Sequence, residues 1–187
     1  MNRREAIART SALLGGTIIG AEAFLAGCTP PTNKESIAAE DIAFLDEVGE
    51  TILPATSSSP GAKEAHIGEF MKVMVSECYE EKDQVVFEHG IVQLNDFSNQ
   101  KHGQSFLSLT AEDRHTLLVA LDGEAKDYEQ AKAEESPSHY FTMMKQLTLL
   151  GYFTSEPGAT KALRYVPVPG RFDGCIDYKK GEKAWAT

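Results

Sequence analysis

The chain has 187 residues, of which 42% are hydrophobic and 25% charged, a composition typical of one globular domain. Its 28 acidic and 18 basic side chains give a formal net charge of -10, which argues against a nucleic-acid-binding face, because phosphate binding needs clustered Lys and Arg. It contains no run of 18 apolar residues, so the sequence predicts no full membrane span.

Residues 1–27 have the layout of an export signal. Arg3 and Arg4 lie in a basic N-terminal region, which is followed by a short, weakly apolar, Gly-rich stretch. A paired arginine before such a stretch is typical of the twin-arginine pathway, which carries folded proteins. An ordinary secretory signal is the alternative.

The end of this signal resembles a bacterial lipobox, with Leu25, Ala26 and Gly27 directly before Cys28. Cleavage before Cys28 would leave its thiol free to carry a diacylglycerol, and a chance cysteine is the alternative. Residues 28–35 contain two prolines and small polar residues, which predicts an extended tether. We therefore expect a domain that is lipid-anchored on the periplasmic side of the cell envelope.

Residues 36–187 are predicted to form one compact, bundle-like all-α domain with an irregular C-terminal tail, because apolar residues recur at helical spacing and no stretch alternates as a strand does. The last predicted helix is apolar on more than one face, so we expect it to be central, capped by Ser138 and ended by Gly151. The predicted helices cover residues 36–53, 65–79, 82–100, a segment capped by Thr110 with an apolar stripe to Tyr128, and residues 139–150.

The tail, residues 164–187, is rich in Gly and Pro and holds four aromatic residues. Such a tail is expected to dock on its own domain or on a partner. The four residues are Tyr165, Phe172, Tyr178 and Trp185.

Motifs for a cofactor or a catalytic centre are absent from the sequence. There is no Gly-x-Gly-x-x-Gly, Walker loop, Cys-x-x-Cys-His or Gly-x-Ser-x-Gly, and the five His are scattered. We therefore predict no catalytic residue, no metal ligand and no cofactor-binding residue in this chain. Glu50, near a helix end, is expected to be an ordinary exposed side chain.

Cys78 and Cys175 remain after the predicted processing. An oxidising compartment favours a disulfide between them, which would join the tail to the second helix. Two separate buried thiols are the alternative.

With these features the chain resembles the gluconate 2-dehydrogenase subunit 3 family. The resemblance is carried by the Arg3-Arg4 signal, by the segment from Glu50 to Pro54 with its loop to Gly61, and by the helix ending in Gly151-Tyr152-Phe153 with Glu-Pro-Gly beyond it. Two features depart from the family: residues 159–162 replace a Tyr-Gly-Gly-Asn segment that many relatives carry, and a lipobox is not general among them.

The resemblance implies a small accessory subunit without its own cofactor. In such complexes a large flavoprotein of the glucose-methanol-choline type binds FAD and oxidises a sugar or glycoside, and a c-type cytochrome takes the electrons. The small subunit exports the folded flavoprotein through its twin-arginine signal, stabilises it and anchors it. The expected contact residues are Leu53, Pro54, Tyr152, Phe153, Tyr165 and Phe172.

Two other functions are compatible with the residues. A lipid-anchored binding or structural lipoprotein would share the signal and the fold but have no redox partner. A helical hydrolase using Glu50 or a His would need a nucleophile and base at a spacing that the sequence does not display.

Overall fold

The computed structural model describes residues 37–168, 170–171 and 174–186, and within them the chain forms helices and no strand, as the sequence predicts. The predicted signal with Arg3 and Arg4, the predicted lipidation residue Cys28, the predicted tether and Phe172 lie outside the described residues. The α-helices are α1 (Ala39–Ile52), α2 (Ile67–Cys78), α3 (Glu81–His102), α4 (Ala111–Ala131) and α5 (Tyr140–Thr154). Short 3₁₀ turns lie at Ala62–Ala65 and Phe106–Ser108, and a π-helical turn lies at Gly158–Ala162.

Local side-chain bonds begin and end several of these helices. The Thr110 hydroxyl accepts a hydrogen bond from the Asp113 N–H at 3.2 Å, which caps α4 as its sequence predicts. At α1, the Ala38 N–H donates to the Asp41 carboxylate at 3.0 Å. Gly103, at a φ of 69°, ends α3 in the left-handed region that favours glycine. These three ends therefore follow from residues close in sequence.

Helix α5 is the centre of the bundle, since it packs against each of the other four α-helices. It buries eight of its 15 residues, and its buried face spans about half of its circumference. The core around it is apolar and rich in aromatic residues and Met, and its fully buried side chains include Leu45, Met71, Phe87, Leu94, Phe106, Phe141 and Met144. The expectation of a central last helix is confirmed.

The expected ends of α5 are corrected by the structure. The helix passes through Gly151 to Thr154, and His139 rather than Ser138 is its N-cap. A β-carbon on Gly151 would lie 2.5 Å from the Phe70 ring. Gly151 is therefore needed for the close approach of α2 to α5 and not for a helix stop.

The tail returns to the residue where it leaves the bundle. The Arg164 N–H donates to the Ala184 carbonyl at 2.8 Å, and the Ala186 N–H donates to the Arg164 carbonyl at 3.0 Å. The Arg164 guanidinium lies 3.7 Å from the centre of the Trp185 ring, a cation–π contact. We call this contact the Arg164–Trp185 clasp.

The expected disulfide is not formed. Cys78 and Cys175 are free thiols, and both are exposed. Cys78 is the last residue of α2, whereas the bonds of the clasp attach the tail to Arg164. The tail is thus held by backbone hydrogen bonds and a cation–π contact, and not through Cys175.

Candidate partner-binding surface

The loop that follows α1, residues 53–61, is organised by one carboxylate. Glu50, in the last turn of α1, accepts a hydrogen bond from the Ala55 N–H at 2.8 Å and another from the Lys63 N–H at 2.9 Å. One side chain thus binds the backbone at both ends of the loop. Glu50 is therefore a structural anchor and not the ordinary exposed residue that its position at a helix end predicts.

The loop has a second set of bonds inside it. The Thr56 N–H donates to the Ser59 carbonyl at 2.9 Å, and the Ser59 N–H donates to the Thr56 hydroxyl at 3.1 Å. Its base is closed by the Ala62 N–H, which donates to the Leu53 carbonyl at 2.9 Å. Residues 54–58 are exposed although their backbone is held by these bonds, so the loop presents a preformed surface.

Tyr152 connects the end of α5 to this loop. Its hydroxyl donates a hydrogen bond to the Pro60 carbonyl, and its ring packs edge-on against Phe153 with 5.1 Å between ring centres. Burial raises the pKa of Tyr152, so the phenol stays protonated and keeps its role as donor. Only 3% of the Tyr152 surface is exposed, so the expectation that it contacts a partner is wrong.

Beside Tyr152, the last two turns of α5 expose three large apolar side chains. Leu149, Leu150 and Phe153 are 38%, 49% and 39% exposed. They occupy the side of α5 that the other helices leave uncovered. Together with residues 54–58 they form what we call the α5–loop surface, whose two parts the Tyr152–Pro60 hydrogen bond joins.

The other expected contact residues differ in exposure. Pro54 is exposed within the α5–loop surface, and Leu53 is half-buried against the core. Tyr165 is 52% exposed and lies next to the clasp. The structure therefore leaves Pro54, Phe153 and Tyr165 accessible.

An ion-pair cluster supports the base of the surface. The Glu47 carboxylate binds Arg114 of α4 and, at 2.9 Å, the Lys63 ammonium. Arg114 also donates to the carbonyls of Phe106, at 3.1 Å, and Leu107, at 2.8 Å. Burial alone would raise the pKa of Glu47, but the hydrogen bond from Lys63 and the charge of Arg114 outweigh it and lower the pKa. The carboxylate therefore stays charged and joins α1 to α4 and to the first 3₁₀ turn, and Arg114 extends the cluster to the second.

Two grooves flank α1 near this cluster. One, of about 140 Å³, is lined by apolar residues such as Ile52, Leu118 and Phe141 together with Asp122 and Lys145. There the Asp122 carboxylate is paired with Lys145 and Lys126, each at 2.6 Å. The other, of about 310 Å³, includes Glu47 and Arg114, which bind each other. These charged side chains form ion pairs that hold helices together. We therefore interpret the grooves as gaps between packed helices rather than as sites of proton transfer.

The described residues offer neither a metal cluster nor a helix that could cross a membrane. None of their His, Cys, Asp and Glu side chains form a group of three or more that could hold a metal ion. Among the helices of the described part of the chain, none combines the length and the apolar character that crossing a bilayer requires.

Comparison with known families assigns the chain. The family model for gluconate 2-dehydrogenase subunit 3 matches residues 39–170, which is more than half of the chain. The chain belongs to the gluconate 2-dehydrogenase subunit 3 family. Neither the curated proteins nor the solved structures that were compared gave a match.

The family match runs from the first residue of α1 to just beyond the clasp residue Arg164. It therefore contains the whole α5–loop surface and the Glu50, Tyr152 and Arg114 contacts that shape it. The tail beyond residue 170, including Tyr178 and Trp185, lies outside the matched region.

The α5–loop surface was only partly predictable from the sequence. Pro54 and Phe153 are among the expected contact residues, whereas Leu149 and Leu150 belong to a helix that the sequence predicts only to be central. A helix that is apolar all round gives no sequence signal for which side a partner covers. Glu47 and Arg114 were not identified, because their pairing joins residues 67 positions apart.

Proposed function

We propose that this chain is the non-catalytic small subunit of a periplasmic, membrane-bound, FAD-dependent sugar or glycoside dehydrogenase complex. In this role it is needed for twin-arginine export, for the stability and for the anchoring of a glucose-methanol-choline-type flavoprotein. FAD belongs to that partner, and haem c belongs to a cytochrome that accepts its electrons. The family name, gluconate 2-dehydrogenase subunit 3, supports the coarser part of this proposal, a dehydrogenase subunit.

The α5–loop surface is the observation that carries the proposal. It consists of three large apolar side chains at the end of α5 and an exposed loop that Tyr152 ties to the same helix, and the loop backbone is already held by Glu50 and by internal hydrogen bonds. Association is less costly when the contact segment is ordered beforehand, and apolar residues supply the burial that stabilises a complex. A partner protein that covers Leu149, Leu150 and Phe153 fits this arrangement better than a small substrate does.

The export and anchoring parts rest on residues outside the described structure. Arg3 and Arg4 support the twin-arginine route, and Cys28 supports a lipid anchor. A route for folded proteins suits a partner that acquires FAD before export. The alternative, a lipid-anchored binding or structural lipoprotein, shares these residues but has no flavoprotein partner.

The test is purification of the tagged chain from solubilised membranes of its native host, followed by its visible spectrum. We expect a flavin band and a large co-purifying chain. Leu150→Asp should remove both, because a charge in the α5–loop surface must be desolvated when the partner binds. Val92→Asp is the matched control, since Val92 is 61% exposed on α3 and lines a groove with residues of α1 such as Phe44, none of which belong to the α5–loop surface.

A colourless single-chain preparation would overturn the proposal in favour of the lipoprotein alternative. Equal loss of flavin in both variants would show that the α5–loop surface is not the contact. Circular dichroism of the two variants establishes that each keeps its helices.

A further inference from the structure

Helix α5 carries almost no charge, although it belongs to a strongly acidic chain. Its 15 residues include one charged side chain, Lys145, and that ammonium is paired with Asp122 of α4 at 2.6 Å. The helices α3 and α4, by contrast, contain six and eight Asp, Glu, Lys or Arg residues. An accessible face that is depleted of charge is typical of the core of a protein interface rather than of a surface that stays in water.

The open side of α5 has the residue spacing of a face that packs against another helix. Thr142, Gln146, Leu149 and Phe153 follow one another at intervals of four, three and four residues, so they lie in one row along the helix. Gln146, Leu149 and Phe153 are exposed, and Thr142 is half-buried. Leu150, which is 49% exposed, borders this row. We call these five residues the α5 seam.

The α5 seam has the length and the shape that accept one helix. It runs for about 17 Å from Thr142 to Phe153, which is about three helical turns. A row of side chains with this spacing forms a ridge, and the ridge fits between the side-chain ridges of a second helix laid along it. The seam is polar at Gln146 and apolar towards Phe153. Its matching occupant is therefore an amphipathic helix with its apolar side against α5.

Charge distinguishes the two ends of the seam. The C-terminal end of a helix has a partial negative charge, and Glu156 is exposed three residues beyond Phe153. Glu156 also lines a notch of about 190 Å³ with Glu64 and Lys161. The Lys161 ammonium is paired with Glu64 at 2.6 Å, so two carboxylates and one ammonium leave the notch negative. The N-terminal end of a helix, which is partly positive and has free N–H groups, is complementary to this end of the seam.

We propose that the flavoprotein partner packs one of its own α-helices along the α5 seam, antiparallel to α5, with the N-terminal end of that helix at Glu156. The inference rests on the proposed function, because the flavoprotein supplies the helix. To that function it adds the kind of element that covers α5 and the direction in which this element runs. Antiparallel helices in contact also place opposite dipole ends side by side, which favours this direction.

Photo-crosslinking in the native complex tests the contact. The tagged full chain is made in its native host with p-benzoylphenylalanine in place of Gln146 or of Phe153, irradiated, purified and digested for mass spectrometry. These two positions are about 10.5 Å apart along α5, a distance that a partner helix covers in about seven residues and an extended strand in about three. The same group in place of Val92, which is 61% exposed on α3, is the control.

We expect positions 146 and 153 to crosslink to the flavin-binding chain at sites about seven residues apart. The site reached from position 153 should be the nearer of the two to the N-terminus of that chain, because the helices run antiparallel. Position 92 should not crosslink to the flavin-binding chain.

Substitutions measure the strength of the contact. Gln146→Glu places a charge in the seam at nearly constant side-chain size, and it should reduce the co-purifying flavin-binding chain by about tenfold or more, because the carboxylate must be desolvated. Gln93→Glu, at an exposed position on α3, is its matched control. Glu156→Gln should reduce co-purification by about twofold to fivefold, the size of a surface charge contact. Asp96→Asn removes the same charge from an exposed position on α3 and should change nothing.

Three results would overturn this inference and leave the proposed function standing. In the first, a flavin-binding chain co-purifies but crosslinks to neither seam position. In the second, its crosslinked sites are about three residues apart, lie in separate segments or follow the opposite order. In the third, both seam positions crosslink to a second copy of this chain, which would make the seam a face for self-association. A colourless single-chain preparation would overturn the proposed function and this inference together.

Discussion

Gly61 lies so close to the carboxylate of Glu50 that a β-carbon at position 61 would fall 2.1 Å from a Glu50 oxygen. The same carboxylate accepts the hydrogen bonds from Ala55 and Lys63 that define the loop after α1. The hydrogen bonds of Glu50 to the loop thus require that residue 61 has no side chain. The exposed residues 54–58 have their conformation because both requirements are met.

Gly61→Ala is expected to displace the Glu50 carboxylate and to break its two bonds to the loop backbone. Hydrogen bonds to a charged acceptor contribute about 1.5–3 kcal/mol each when buried, and partial exposure here puts the expected loss of unfolding free energy at about 1–3 kcal/mol. Urea denaturation measures it. Glu50→Gln should cost less, because an amide keeps one acceptor oxygen. If G61A with E50Q were no less stable than E50Q alone, then the close contact would not be the cause.

Tyr152→Phe removes the donor to the Pro60 carbonyl and leaves the ring packing in place. We expect a loss of about 1 kcal/mol in unfolding free energy and faster proteolysis within residues 54–58. Co-purification of the proposed partner should weaken as the loop loses its preformed shape. Tyr178→Phe is the control, because the Tyr178 ring is 86% exposed. Unchanged proteolysis in Y152F would contradict the anchoring role of the phenol.

Gly151→Ala should destabilise the bundle although alanine is the better helix former. The added β-carbon would lie 2.5 Å from the Phe70 ring, and overpacking of this kind costs about 1–3 kcal/mol. Gly123→Ala on α4 is the matched control, since nothing lies within 4 Å of its β-carbon position. That change should stabilise the chain by about 0.5–1 kcal/mol. Thermal denaturation of both variants, with F70L added to G151A as a rescue, tests the contact.

His139 should make stability depend on pH. Burial lowers the pKa of His139 from its usual value of 6.5, while the charges of Glu124 and Glu129 act in the opposite direction. Its Nδ1 also accepts the Phe141 N–H at 3.2 Å as the N-cap of α5, and a protonated ring cannot accept. Unfolding therefore takes up a proton as the pH falls through 6.5, and stability should decrease from there down to the folded pKa.

Urea denaturation over a pH range of about 5 to 8 measures this dependence. His139→Asn keeps a capping acceptor that does not titrate, so the decrease should be smaller in that variant. His115→Gln, which removes an exposed histidine on α4, is the matched control for the loss of a histidine. Identical profiles for H139N and the parent would assign the pH dependence to other groups.

The helices were largely predictable because their signals are local. Apolar residues at i, i+3 and i+4 mark the buried face of α2, and Thr110 with Asp113 marks the start of α4. Gly151 shows where this reasoning fails. A glycine near the end of an apolar run is typical of a helix stop. Here, however, glycine is required because the Phe70 ring of α2 leaves no room for a β-carbon.

By itself, the sequence determined the all-α class, the order of the helices, the central position of α5 and the family resemblance, since each depends on patterns within a short stretch of chain. Tertiary structure alone decided that Tyr152 is an internal anchor rather than a contact residue, and that Arg114 pairs with Glu47. These bonds join residues 92 and 67 positions apart, and such pairs come together only after the helices have packed. The side of α5 left open, with Leu149, Leu150 and Phe153, was decided in the same way, because exposure depends on which faces the neighbouring helices cover.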